Sequence, residues 1–251
     1  RLVRGKAQIE IELHAVRPEV RGTHHAARTS GLLSPSPIVE DAHGIVHVPT
    51  IVPIDENGEV VHPGDPVAQE AYCRGVLRAE LERLGLGPDS IVSLADYLTP
   101  EAHDALAGVW EDRLSTWGKV GTGGATVMQR LHRPGVAWAM DVVLSRAGVE
   151  PVEVPWPSFD WRPFHVAVAS AGVLTISGLD ASDRESGRMR GVGDLGEQAE
   201  AVYQDLASIL AIAGVQASDV RSTIEFCRAD QIAGYRVVAG VRERLLSPPW
   251  P

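Results

Sequence analysis

The chain has 251 residues, 44% of them hydrophobic, enough for one large domain or two of ordinary size with proper cores. Its 33 acidic residues outweigh 23 basic ones for a formal net charge of −10, which argues against non-specific nucleic-acid binding, since that needs a basic face. No run approaches the apolar length of a membrane span or has the layout of a signal peptide, so a cytoplasmic protein with no membrane partner is expected.

Residues 8–15 alternate, with Ile9, Ile11 and Leu13 on one face and Glu10, Glu12 and His14 on the other, the period of a half-buried strand. Residues 17–36 are polar and read as a linker or edge loop. Its neighbouring His24 and His25 have no third ligand nearby in sequence, so they read as loop histidines and not as metal ligands. Residues 38–39 and 45–48 suggest a hairpin, and Asn57-Gly58 a turn. Asp65 before Pro66 predicts a capped helix running to about Leu84. A strand is expected over 91–98, and Thr99-Pro100-Glu101 opens a second helix that ends near Gly118.

Residues 121–124 read as a flexible glycine-rich loop without the lysine and hydroxyl of a phosphate loop. Strands over 127–130 and 138–144 follow, and the Pro- and Trp-rich residues 150–158 read as a linker. Two more strands, 165–169 and 173–177, are joined by Ser170-Ala171-Gly172. Asp194, with Glu197 three residues on, has the spacing of a capping box. The helix behind it places Leu195, Ala199, Val202, Leu206, Ile209 and Leu210 on one stripe and stops at Gly214. A strand over 220–227 and a helix over about 230–246 complete the pattern. Cys73 and Cys227, the only cysteines, lie in apolar patterns and read as buried thiols, not as a disulfide or zinc framework.

One offset recurs along the chain. The step from Gly64-Asp65 and Gln69 to Gly193-Asp194 and Gln198 is 129 residues, and Leu77, Leu81 and Gly85 reach Leu206, Leu210 and Gly214 by the same step. Arg1-Leu2, Arg4, Ile11, Glu12 and Leu13 fall in the same way on Arg130-Leu131, Arg133, Met140, Asp141 and Val142. The expected organisation is therefore α+β, as two tandem modules, each a mixed β-sheet with two helices packed on one face. Residues 17–147 form the first module, 148–160 a linker and 161–251 the second. Residues 1–16 copy the last strand of the first module. They are either a remnant of a preceding module or, as favoured here, the strand that completes the second module.

Arg162-Pro163-Phe164-His165, the strand ending in Ser177-Gly178, then Gly193-Asp194, Gln198, Leu206, Leu210, Ala213-Gly214 and Asp219-Val220 resemble the reactive intermediate deaminase family (Rid, YjgF-like). The resemblance implies modules of the Rid/chorismate-mutase-like kind and a homotrimer, here of six modules. It also implies clefts between neighbouring modules, a small-molecule substrate, and no metal or organic cofactor. The implied activity is hydrolysis of a reactive imine or enamine. Carried over residue by residue, Phe164 stands for the cleft aromatic, Ser177 and Gly178 match the strand-end pair, and Glu10 matches the glutamate that activates water. Glu10 and Ser177 would then be catalytic, and Phe164 and Gly178 substrate-binding. The carboxylate-gripping arginine of the family falls after Pro251.

The first module reads as degenerate, with Pro49-Thr50 in place of Ser-Gly, Ala139 in place of the glutamate and Gly124-Ala125 at the arginine position. Each survivor also has a plainer reading: Glu10 as a surface carboxylate, Ser177-Gly178 as a tight strand end, Phe164 as core. The competing function is a non-catalytic small-ligand-binding or scaffold protein with decayed clefts. A biosynthetic enzyme that reuses the cleft for another carboxylated substrate is a close variant of the first reading.

Overall fold

The computed structural model describes residues 23–25, 31–32, 38–159 and 162–246. Residues 8–15, and with them Glu10, lie outside the described residues. The described residues group into two compact units, one holding Phe159–Gly178 with the chain from residue 17 to Pro155, the other holding Trp156–Ser158 with the chain from Leu179 onward.

The first unit is built on a mixed sheet. Its strands are β1 (Thr23–His25), β2 (Ile38–Glu40), β3 (Ile45–Ile51), β4 (Ile91–Leu98), β5 (Thr122–Val127) and β6 (Trp138–Ser145), in the order β1-β2-β3-β6-β4-β5. Only β4 and β5 run parallel. Two helices, α1 (Pro66–Leu84) and α2 (Leu106–Trp117), supply the rest of the core. α1 is capped as expected, with Asp65 accepting from the Ala68 N–H at 3.0 Å, Pro66 in the first turn and Gly85 ending it at φ 68°. Its buried stripe, Cys73, Leu77, Leu81 and Leu84, lies on the side that packs on β3 and β6, and Val109 and Trp110 of α2 are buried as well, as are Leu94, Met140, Val142 and Leu144 of the sheet. The α+β class is as expected.

Several local expectations are corrected. Residues 121–124 are no flexible loop, because Thr122–Val127 pairs in parallel register with β4 over its whole length. The glycines are there for close packing and not for mobility, as shown below. Within the expected linkers, Thr23–His25 pairs with β2, and β7 (Glu150–Val152) pairs with β8 (Ala167–Ser170), which in turn pairs with β9 (Val173–Ile176). Proline-rich sequence at β7 is tolerated because β7 is the outer strand of this three-stranded sheet.

The second unit holds α3 (Leu195–Ile212), capped by Asp194 through the Gly196 and Glu197 amides, and α4 (Arg236–Leu245). They pack through Ala199, Tyr203, Val241 and Leu246. Element starts keep the sequence step: α1 and α3, the 3₁₀ turns Pro88–Ser90 and Ala217–Asp219, and the turns Pro100–Ala105 and Ala229–Gly234 each begin 129 residues apart. Residues 220–227, which stand one step from β4, are assigned to no strand among the described residues. Their side chains nevertheless alternate, with Thr223, Glu225 and Cys227 half-buried and Ser222, Ile224 and Phe226 exposed.

Candidate functional site

Three of the four site residues expected from sequence lie together at one edge of β5. Phe164 forms a parallel bridge with Val120, the His165 N–H donates to Gly121 O at 2.9 Å, and the Gly178 N–H donates to Gly123 O at 3.0 Å. Ser177 is buried there. Its hydroxyl donates to His165 O at 2.6 Å and accepts from the Gly123 N–H at 2.9 Å. The hydroxyl's one proton is thus committed to a backbone carbonyl, and its oxygen fixes the β5 edge. Gly178 is exposed beside Gly124. Phe164 is fully buried and meets Trp110 edge-on, with ring centroids 5.5 Å apart.

The glycines of β5 are explained by this arrangement. A Cβ on Gly123 would stand 2.5 Å from a Phe164 ring carbon and 2.4 Å from Leu94 O, and one on Gly121 would stand 2.3 Å from Ile91 O. Gly123→Ala is therefore expected to destabilise the protein by about 1–3 kcal/mol, the usual cost of overpacking. Urea denaturation would measure it, and a variant as stable as the parent would show that the Phe164 ring is not seated on this strand.

His165 sits half-buried at the same edge. Burial, and then the nearby Lys119, lower its pKa from an ordinary 6.5, against a smaller opposing pull from Glu153. His132 is lowered in the same direction by burial and by Arg133. Because the folded chain binds these protons less readily than the unfolded chain, their contribution to stability is present above pH about 6.5 and is lost as pH falls through the folded values. The melting temperature is expected to drop on going from pH 8 to pH 5, and His165→Gln should shrink that drop. An unchanged slope in the variant would contradict the assignment.

A second polar cluster, missed from sequence, lies under the helices of the first unit. Arg113 of α2 makes a two-pronged bond to Asp96 of β4, at 2.7 and 2.8 Å, and donates from Nε to Glu70 of α1 at 2.9 Å. The indole N–H groups of Trp138 and Trp110 also donate to Asp96, at 2.8 and 3.2 Å. All three charged residues are buried. Burial raises the Glu70 pKa, with Arg113 and then Arg74 pulling it back down. Arg113 is itself opposed by burial, yet Asp96 and Glu70 bind its proton more tightly and its pKa is raised. Two shallow grooves, of about 350 and 340 Å³, run along α1 and α2 above this cluster, with Arg74 and Asp112 in the walls of both. Arg74 is paired there with Asp112 at 2.6 Å and with Glu70 at 3.4 Å.

The second unit has a related cluster. Glu225 accepts from Arg242 at 2.9 Å and from the hydroxyls of Tyr203 and Tyr235. Burial, then the bond to Glu225, raises the Tyr203 pKa. Glu225 and Arg242 lie one 129-residue step from Asp96 and Arg113. That shared step was the available signal: an acid inside a strand pattern and an arginine inside a helix pattern, recurring together. Among the described residues, no group of three or more His, Cys, Asp or Glu side chains is arranged to hold a metal ion, and no helix is long and apolar enough to cross a membrane.

No family model matches the sequence, and no curated protein does. Solved structures do. The Rid-family protein YyfA from Yersinia pestis is 17% identical, with a TM-score of 0.42 over 49% of this chain and 99% of its own. The YjgF gene product of E. coli is 18% identical, with a TM-score of 0.40 over 49% of this chain and 99% of its own. A putative endoribonuclease from Thermotoga maritima is 18% identical, with a TM-score of 0.42 over 49% of this chain and 98% of its own. Each of these alignments spans about half of this chain and nearly all of the other. Likeness at this level carries no activity from those proteins to this one.

Proposed function

We propose that the chain hydrolyses a reactive imine or enamine of a small carboxylated molecule, releasing ammonia. The observation that carries this reading is the strand edge at β5, where Phe164, Ser177 and Gly178, the residues of the Rid resemblance, are drawn together from separate positions in the sequence. Water adds to the carbon of the protonated imine while Glu10 takes one of its protons, giving a neutral carbinolamine. Glu10 returns that proton to the nitrogen, the C–N bond breaks as the hydroxyl proton passes back to Glu10, and a carbonyl compound and ammonia leave. Ser177 serves as a positioning residue in this scheme: it locks the strand end that presents Gly178, because its own proton is held by His165 O.

The test is to generate 2-imino acids in situ with an amino-acid oxidase and follow their disappearance with a trapping amine. Faster conversion to the 2-oxo acid than in buffer alone supports the reading. A panel of 2-imino acids with no acceleration overturns it. Saturable binding of a small carboxylate without turnover would favour the non-catalytic alternative, which the full burial of Phe164 also suits.

A further inference from the structure

Residues 220–227 have the pattern of a strand and lack a strand partner among the described residues. Val220 and the following Arg228 both have extended backbone, at φ −62°, ψ 123° and φ −57°, ψ 140°. The half-buried side of the segment is anchored to the helices, Glu225 reaching Tyr203 of α3 and Arg242 of α4. Its other side leaves Ile224 and Phe226 65% and 59% exposed. What invites pairing is the backbone edge of the segment, which joins no sheet among the described residues.

The first unit shows what covers the same element. β4, one step earlier in the chain, is paired antiparallel with β6, with Leu94 opposite Val142, Asp96 opposite Met140 and Leu98 opposite Trp138. These β6 side chains, with Leu144, are buried. One step before β6 stand residues 9–16, with Ile9, Ile11, Leu13 and Ala15 at the positions of Trp138, Met140, Val142 and Leu144. The polar residues between them, Glu10, Glu12 and His14, fall on the opposite face.

We propose that residues 9–16 of this same chain dock antiparallel along residues 220–227, with Leu13 opposite Thr223, Ile11 opposite Glu225 and Ile9 opposite Cys227. The N-terminal segment thereby supplies the strand that β6 supplies in the first unit. Ile9, Ile11 and Leu13 cover the Glu225–Arg242 cluster from the side, as Trp138 and Met140 cover Asp96–Arg113. Glu12 and Glu10 lie beside Ile224 and Phe226 on the other face. Register is the discriminating property, because a slip of one residue would turn Glu10 and Glu12 towards the helices.

The native Cys227 supplies the probe. The Thr99 N–H donates to Ala137 O, so the adjacent pair Leu98 and Trp138 is a non-hydrogen-bonded pair, the closely spaced kind. At such a pair the Cα separation, about 4.5 Å, suits a disulfide. In the full chain carrying Ile9→Cys, mild oxidation is expected to link the introduced thiol to Cys227 within one chain, leaving Cys73 reduced. The same treatment of Glu10→Cys, on the opposite face, should not form that link. In the unmodified chain the amides of Ser222, Ile224 and Phe226, which the β4 pattern turns towards the docked strand, should exchange slowly with deuterium, and Ile11→Pro should speed them. Linkage only between chains would assign the edge to a second copy and overturn docking within one chain. Linkage to Cys73, equal linkage of both variants, or fast exchange of the Ser222, Ile224 and Phe226 amides in the unmodified chain would also overturn it.

Discussion

Arg113→Met is expected to cost about 3–5 kcal/mol of stability, the usual penalty for stripping one partner from a buried ion pair. Arg113 is 2% exposed, and every bond it makes goes to an equally buried carboxylate or to the Met140 sulfur. Its removal leaves the buried Asp96 carboxyl without a charged partner, held only by two neutral indole N–H groups. Glu70, whose pKa burial already raises, would keep only its contact with Arg74. The loss should therefore come from the stranded carboxyl and not from the missing attraction. That distinction is measurable. Asp96→Leu combined with Arg113→Met removes both charges and should be more stable than Arg113→Met alone. Arg242→Met should cost less, because Arg242 and Glu225 keep 20% and 17% of their side-chain surface in contact with solvent. Urea denaturation of the three variants decides the matter. An Arg113→Met loss below about 1 kcal/mol, at the level of a surface pair, would show that the cluster is open to water.

Helix positions and caps were legible in the sequence because they rest on local chemistry. Asp65 and Asp194 accept backbone N–H groups within three residues of themselves, and Gly85 adopts the left-handed conformation a side chain would resist. β5 was not legible, because its glycines suggest mobility when read alone. Their cause is the Phe164 ring and the β4 carbonyls, and Phe164 is far away in sequence. β1 and β7 were missed for a similar reason: three-residue edge strands are defined by a partner and not by their own periodicity.

Asp96 was passed over within a strand pattern although a carboxylate at a core position must be paired. Asking for its partner would have led to Arg113, and the 129-residue step would have led on to Glu225 and Arg242. Of the candidate site, the residue types were legible and their environments were not. Nothing local to Ser177 indicates that its proton goes to His165 O, or that Phe164 is enclosed by Trp110 and Gly123.

Glu10→Gln is expected to reduce imine hydrolysis on the order of 10²–10⁴-fold, the range for loss of a positioned general base. Glutamine keeps the shape and the hydrogen-bonding reach of glutamate but cannot accept a proton from water at neutral pH. A role in base catalysis should then appear as a fall in kcat with KM little changed, since binding contacts survive the substitution. The control is Glu12→Gln, which stands two residues along in the alternating sequence pattern and is outside the proposed chemistry. It should retain nearly full activity. The first-module counterpart of Glu10, Ala139, is a poor control, because it is 3% exposed and packed with Val52 and Ile54, so a glutamine there would perturb the core. Equal losses from Glu10→Gln and Glu12→Gln would mean that the face as a whole, through its charge, attracts or holds the substrate. Full activity in Glu10→Gln would remove the base from the mechanism and leave water addition to be driven by another group.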